Sequence, residues 1–382
     1  ITDVKNGLGI ATTGTNDRIT GNTITSVSGV FGSGIAVWTT TENALIDGNT
    51  VRNVSGPSGD AISVAAGNAT ITNNTLDTVW SGHGIKLYGS DMGWFGMGYV
   101  GAGNATIESN TIKNVANGVG IHLSDNDNNT VTDNRVENAG QDGILLFAAP
   151  GFLGSPEVDA IVGPGWMFLP AITSANNNDI LGNTIVNVAK NAADVAPLPI
   201  AHPALPHTVP SERYAGIRLE GNADNNTIDG NTVEDAGSAG YAVGIDILAG
   251  GGVDPDNNDV TNNTLSGFTT VAPGAGTSEG IRVLSGQNNT VVGNTVSNSG
   301  NLQYGIDIRT TEELPVTDNT VIAMLKAGLY LWGGTAANPL IVKGNTLTDN
   351  VHGINMMAGA AQITNKNVIT GGAVGLYVDP MA

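Results

Sequence analysis

The chain has 382 residues, with 14 lysines and arginines against 34 aspartates and glutamates, and charged residues make up only 13% of it. So sparse a cation set excludes a phosphate-reading footprint, and with it nucleic acid or anionic lipid as a partner. Without cysteine there is neither a disulfide framework nor a thiolate metal site, and no membrane span is expected, since the longest apolar run, Gly143 to Leu153, is broken by Pro150 and Gly151.

Along the chain one pattern returns. An asparagine, usually followed by Thr and an aliphatic residue, stands at Asn22, Asn49, Asn74, Asn110, Asn134, Asn183, Asn231, Asn263, Asn294, Asn319, Asn345 and Asn367. After it comes a strand of the form Gly-Ile-x-Leu: Gly34–Val37, Gly84–Leu87, Gly120–Leu123, Gly216–Leu219, Gly280–Val283 and Gly328–Leu331. A third apolar stretch, such as Asn104-Ala105-Thr106-Ile107 or Asn288-Asn289-Thr290-Val291, precedes the next asparagine. Where nothing is inserted the period is about 22 to 27 residues, the length of one solenoid coil. The expectation is therefore an all-β parallel solenoid of about 12 coils with three short strands per coil, one domain over residues 1–382. Inward aliphatics alternate with outward x residues, and equivalent asparagines stack about 4.8 Å apart as amide ladders. Gly before each main strand is read as permitting a sharp or left-handed bend. The sequons at Asn53, Asn68, Asn73, Asn104, Asn128, Asn225, Asn262 and Asn288 are read as by-products of the ladder.

Three insertions interrupt the repeat, at 88–103, 147–178 and 189–215. The first two carry Met92, Trp94, Phe95, Met97, Tyr99, Phe152, Trp166, Met167 and Phe168; the third is proline-rich and holds His202 and His207. Their apolar residues pack on the solenoid flank, contact another protein, or wall a ligand cleft around Leu145 and Arg218. Repeats run almost from end to end, so the terminal coils are expected to meet flanking sequence or other subunits.

The x positions of the main strand spell out one outer face. Arg218, Asp246, Arg282 and Asp307 fall on consecutive rungs as an alternating column, read either as an exposed charge ladder or as a site where Arg neutralises a sugar carboxylate and Asp moves a proton. Tyr88, Tyr330 and Trp332, with Trp38, offer rings on which sugars stack, unless Tyr330 and Trp332 pack under residues 333–339. Lys86 and His122 occupy adjacent rungs, next to His83, where either can abstract a proton beside a carboxylate. Candidate catalytic residues are thus Lys86, His122, Arg218 and Asp246; candidate substrate-binding residues are Tyr88, Arg282, Asp307, Tyr330 and Trp332. No cofactor and no metal ligand set is expected. Ca²⁺ at the Asp/Asn runs 124–128 and 254–259 is the one exception, and turn formation explains those runs as well.

The Asn-Thr-[Ile/Val/Leu] and Gly-Ile-x-Leu elements resemble, over nearly the whole chain, the right-handed parallel β-helix superfamily of pectate-lyase-like enzymes and carbohydrate-binding and sugar-hydrolysis repeat proteins. The resemblance implies polysaccharide as the commonest ligand. Nothing here matches the Tyr-Gly-x-Asp-Pro-His stretch of mannuronan epimerases beyond Asp254-Pro255, and no acidic pair stands out as a hydrolase acid and base. Two functions stay open. One is an extracellular or cell-surface structural or adhesive solenoid whose partners are polysaccharide or copies of itself, through apolar loops and coil ends. The other is a secreted uronate lyase, epimerase or glycoside hydrolase acting on the main strand face.

Overall fold

The computed structural model describes residues 1–29, 32–38, 42–56, 59–88, 103–148, 174–188, 214–237, 242–250, 252–268, 278–298, 301–364 and 366–379. These residues form 38 strands, β1 (Thr2–Lys5) to β38 (Val374–Val378), in three parallel sheets of 13, 13 and 12 strands. Every third strand joins the same sheet, so each coil visits the first, second and third sheet once, as the period requires. The Asn-Thr segments build the first sheet, the Gly-Ile-x-Leu segments the second, and the Asn-x-Thr-Ile stretches the third.

The core is a stack of aliphatic rungs. Ile62, Ile85, Ile121, Ile144, Ile217, Ile245, Ile281 and Ile306 lie opposite one another in the second sheet and have no exposure to solvent. Two ladders fix the corners. The Asn side chains from Asn22 to Asn367 form an unbroken series, each Nδ2 donating to the next Oδ1 at 2.9–3.1 Å. A shorter series runs Asn129, Asn178, Asn226, Asn258 and Asn289. In the long ladder each amide from Asn49 to Asn367 also donates to a backbone carbonyl of the preceding coil, as Asn231 does to Ile180 at 2.8 Å, so these turns keep their polar groups satisfied.

Three expectations need correction. The glycines before the main strands do not adopt left-handed backbone. They are glycine because the corner is too tight for a side chain: a Cβ on Gly143 would lie 2.6 Å from the Gly216 carbonyl and closer still to a methyl of Ile185. The sequon asparagines are not the ladder residues either. All eight have φ between 53° and 59°, the left-handed corner that Asn tolerates. In Asn73-Asn74-Thr75 and Asn262-Asn263-Thr264 the second Asn is the one in the ladder. Finally, the insertions are shorter than expected, because Tyr88 belongs to β11 (Ile85–Tyr88), Phe147 to β17 (Ile144–Ala148) and Ala215 to β20 (Ala215–Gly221). Residues 174–178 and 214 also stand among the described ones. The loop aromatics, His202, His207 and any cleft they wall lie outside the described residues.

Candidate functional site

The register of the second sheet places Ala36, Ser63, Lys86, His122, Leu145, Arg218, Asp246, Arg282, Asp307, Tyr330, Asn355 and Tyr377 in one outward column, rung by rung. A second column runs beside it. The chain turns at the glycine, so the residue just before it also points outward. This adds Asp60, His83, Asp142, Glu279 and Tyr304, of which only His83 was picked out from the sequence. The signal in these five coils was a polar or aromatic residue immediately before the Gly or Ala that leads into the strand; Val119, Ala215, Val243 and Ala327 hold that place in other coils.

At the amino-terminal end of this face Lys86 and His122 are direct neighbours, both buried. The Lys86 ammonium lies 4.5 Å from the centre of the Tyr88 ring. Tyr88 donates its hydroxyl to Asp60 at 3.1 Å, and the His83 backbone N–H donates to the other Asp60 oxygen at 2.8 Å. His83 in turn fixes His122. The Val119 N–H donates to His83 Nδ1 at 3.1 Å, so the ring proton of His83 sits on Nε2, 3.4 Å from His122 Nδ1. His122 Nδ1 is therefore an acceptor, and its own proton is on Nε2. In this tautomer His122 offers a hydrogen-bond donor at Nε2; proton abstraction there would require both rings to change tautomer.

Leu145 separates this group from the next one, so Lys86 and His122 do not converge with Arg218. Beyond it the expected charge column is present but neither exposed nor evenly alternating. Arg282, 1% exposed, grips Asp246 with Nε at 2.8 Å and Nη2 at 2.5 Å. Arg218 lies 3.4 Å from Asp142, 3.7 Å from Glu220 and 3.9 Å from Asp246. Asp307 pairs with Arg309, two residues on in the same chain direction, at 2.6–3.1 Å, and Arg309 reaches to 4.0 Å from Glu279. The reason is reach: Arg309 donates to both Asp307 oxygens from two residues away, while Arg282 is engaged by Asp246 on the preceding rung. Burial, opposed by Arg218 and reinforced by Glu279, Asp142 and Glu220, pushes the Asp246 carboxyl up to about 8. Burial likewise raises Asp142 and Asp307, against the pull of Arg218 and Arg309 respectively.

The carboxy-terminal end is aromatic. Tyr304 and Tyr330 have ring centres 4.5 Å apart, with Lys326 5.3 Å above the first and the Arg309 guanidinium 5.5 Å above the second. Burial pushes the Tyr304 hydroxyl up to about 12. Trp332 does not pack under residues 333–339; it is 52% exposed beside an open groove of about 440 Å³. Trp38 is half-buried near the other end of the sheet.

Carboxylates in and next to the Asp/Asn runs considered for Ca²⁺ accept backbone hydrogen bonds at the corner. Asp127 accepts the Asn176 amide at 2.6 Å, Asp224 that of Asp256 at 2.8 Å, and Asp256 that of Gln287 at 2.7 Å. No group of three or more His, Asp or Glu able to hold a metal occurs among the described residues, and no helix there is long and apolar enough to cross a membrane.

Comparison with known proteins bears on the winding. No curated protein matches the sequence. Among solved structures, a periplasmic alginate epimerase is similar over 94% of this chain and 73% of its own, with 11% identity and a TM-score of 0.50. The tailspike of E. coli bacteriophage HK620, solved with a pentasaccharide, aligns over 92% of this chain and 51% of its own at 11% identity and a TM-score of 0.47. The Dettilon tailspike aligns over 94% of this chain and 60% of its own at 13% identity and a TM-score of 0.40. The chain thus spans about half to three quarters of the length of these structures, and at such identities the likeness concerns the fold alone. The family model for the right-handed β-helix region matches residues 8–160 and 167–378, and with three parallel sheets visited in turn the chain belongs to that family.

Proposed function

We propose that the protein is an extracellular or cell-surface β-helix with a structural or adhesive role, which holds polysaccharide against the outer face of its second sheet. One observation carries this reading. Among the described residues, every buried Asp, Glu, Lys or Arg side chain (Asp60, Lys86, Asp142, Arg218, Asp246, Glu279, Arg282 and Asp307) sits on that face. Charged side chains on the first sheet, such as Lys113 and Arg135, stay in solvent at 42% and 46% exposure. Burying ion pairs is a poor route to stability, because desolvation offsets most of their attraction. An arrangement that takes on this cost on one face out of three points to a task at that face.

Co-sedimentation with a panel of insoluble polysaccharides, alginate gels among them, tests the proposal. Retention by at least one polymer, lost on substitution along the second sheet and kept on substitution along the first, is the expected result. A protein that no member of the panel retains would not be a polysaccharide binder. Light scattering for end-to-end polymers addresses the structural part of the reading.

A catalytic role on the same face, as a uronate lyase, epimerase or glycoside hydrolase, has in its favour the burial of Lys86 beside His122. Its signature for lyase chemistry is ultraviolet absorbance from unsaturated sugar ends, released by the protein and not by a Lys86→Ala variant.

A further inference from the structure

The groove beside Trp332 has features that narrow the kind of sugar it accepts. A bulge creates it: β32 (Ala327–Gly333) pairs evenly with β35 (His352–Gly359) as far as Leu331 opposite Met356, then Trp332 lies opposite Ala358, so Met357 is the extra residue. The indole is thereby left standing in solvent over a floor of backbone. That floor stays flat because it cannot carry side chains. A Cβ on Gly359 would fall on the Gly333 carbonyl, and Gly359 has φ 93°. Arg309, Thr310 and Thr311 of the preceding coil also line it.

The charges around the groove are already balanced or negative. Arg309, which lines the groove, spends its Nε and one amino group on the two oxygens of Asp307, which leaves its other amino group, Nη1, outside that pair as a further donor. Glu279 lies 4.0 Å from the same guanidinium, and Glu312, held by Asn338 at 3.1 Å, follows Thr311 of the groove lining in the chain. The whole chain carries a formal charge of −20. Among the residues that line the groove Arg309 is the one cation, so a sugar carboxylate entering here meets a guanidinium already paired with Asp307, in a chain of net negative charge.

We propose that the Trp332–Arg309 groove binds one pyranose ring of a neutral glycan, its C–H face on the Trp332 indole and a hydroxyl accepting from Arg309 Nη1. This rests on the polysaccharide reading above and reverses the sequence-based expectation that arginines on this face neutralise a uronate. Aromatic stacking supplies an orientation-dependent contact that needs no charge, so binding is weakly dependent on salt.

The test is a calorimetric titration of the full chain with two sets of soluble oligosaccharides, neutral gluco-, manno- and xylo-oligomers against oligouronates. Three proteins are compared: the unaltered chain, Trp332→Ala and Trp80→Ala. Trp80 is equally exposed, at 54%, but it lies outside the groove, so it controls for loss of any surface indole. The expected result is binding of a neutral oligomer that is little changed by salt, weakened about tenfold in Trp332→Ala and unaltered in Trp80→Ala. Binding of oligouronates in preference to neutral oligomers would overturn the inference and leave the polysaccharide reading standing. Neutral binding that survives Trp332→Ala, with the fold confirmed by circular dichroism, would place the sugar elsewhere and equally refute it. Binding to neither set, together with no retention on the insoluble panel, would remove both.

Discussion

On the first sheet the residues that leave the coil are polar and solvated, and the rungs repeat one another; Thr50, Thr75, Thr111 and, after Arg135, Thr184 and Thr232 occupy equivalent positions. On the second sheet no two neighbouring rungs from Lys86 to Tyr330 carry the same outward residue, and most of those side chains are buried. The backbone is the same solenoid in both. The difference shows that one winding accommodates unlike outward side chains, so the winding alone does not account for what stands on the second sheet.

That contrast can be broken by substitution. The largest effect is expected for Arg282→Ala, which strips Asp246 of its bidentate partner inside the buried column. We expect a loss of about 3–5 kcal/mol in denaturant unfolding, against less than about 0.5 kcal/mol for the exposed Arg135→Ala. Equal, small losses at both positions would mean that the second-sheet charges are as solvated as those of the first.

The corner ladder provides the next step down. Asn231 accepts from Asn183 and donates to Asn263, Ile180 and Asp229. Asn231→Ala leaves buried groups on two neighbouring coils unpaired and is expected to cost about 1–3 kcal/mol. A cost below that range would show that the coils hold without the ladder.

A pH series sharpens the comparison further. Because burial raises the Asp246 carboxyl to about 8, the folded chain holds a proton there more tightly than the unfolded chain does. The contribution to stability is full below the ordinary carboxylate range and is lost as pH rises through about 8; Asp142 and Asp307 are shifted in the same sense. Asp47, on the third sheet, is shifted the other way by hydrogen bonds from Asn73 and Thr72. Denaturation midpoints are therefore expected to fall from mildly acid to alkaline buffer, with a shallower fall in Asp246→Asn. An identical slope in that variant would exclude Asp246 as the source. The smallest stability effect is expected for Trp332→Ala, within about 0.5 kcal/mol, since its ring is largely solvated before the change.

Sequence alone determined the winding, the three strands of each coil and the rung-by-rung order from Ala36 to Tyr377. These are set by local alternation and a near-constant period, so each coil states them again. Only the tertiary structure decided the rest. It showed that Asp142, Glu279 and Tyr304 join the face, because the chain turns at a crowded glycine and swings the preceding residue outward. It paired Asp307 with Arg309, two residues on, and left Arg282 with Asp246, its register partner on the preceding rung, so the even alternation of the column is broken. It left Trp332 in solvent through a single extra residue at Met357. Burial of the charged column was equally illegible, because exposure depends on what lies around a side chain in space, and a one-dimensional pattern of outward positions carries no record of that.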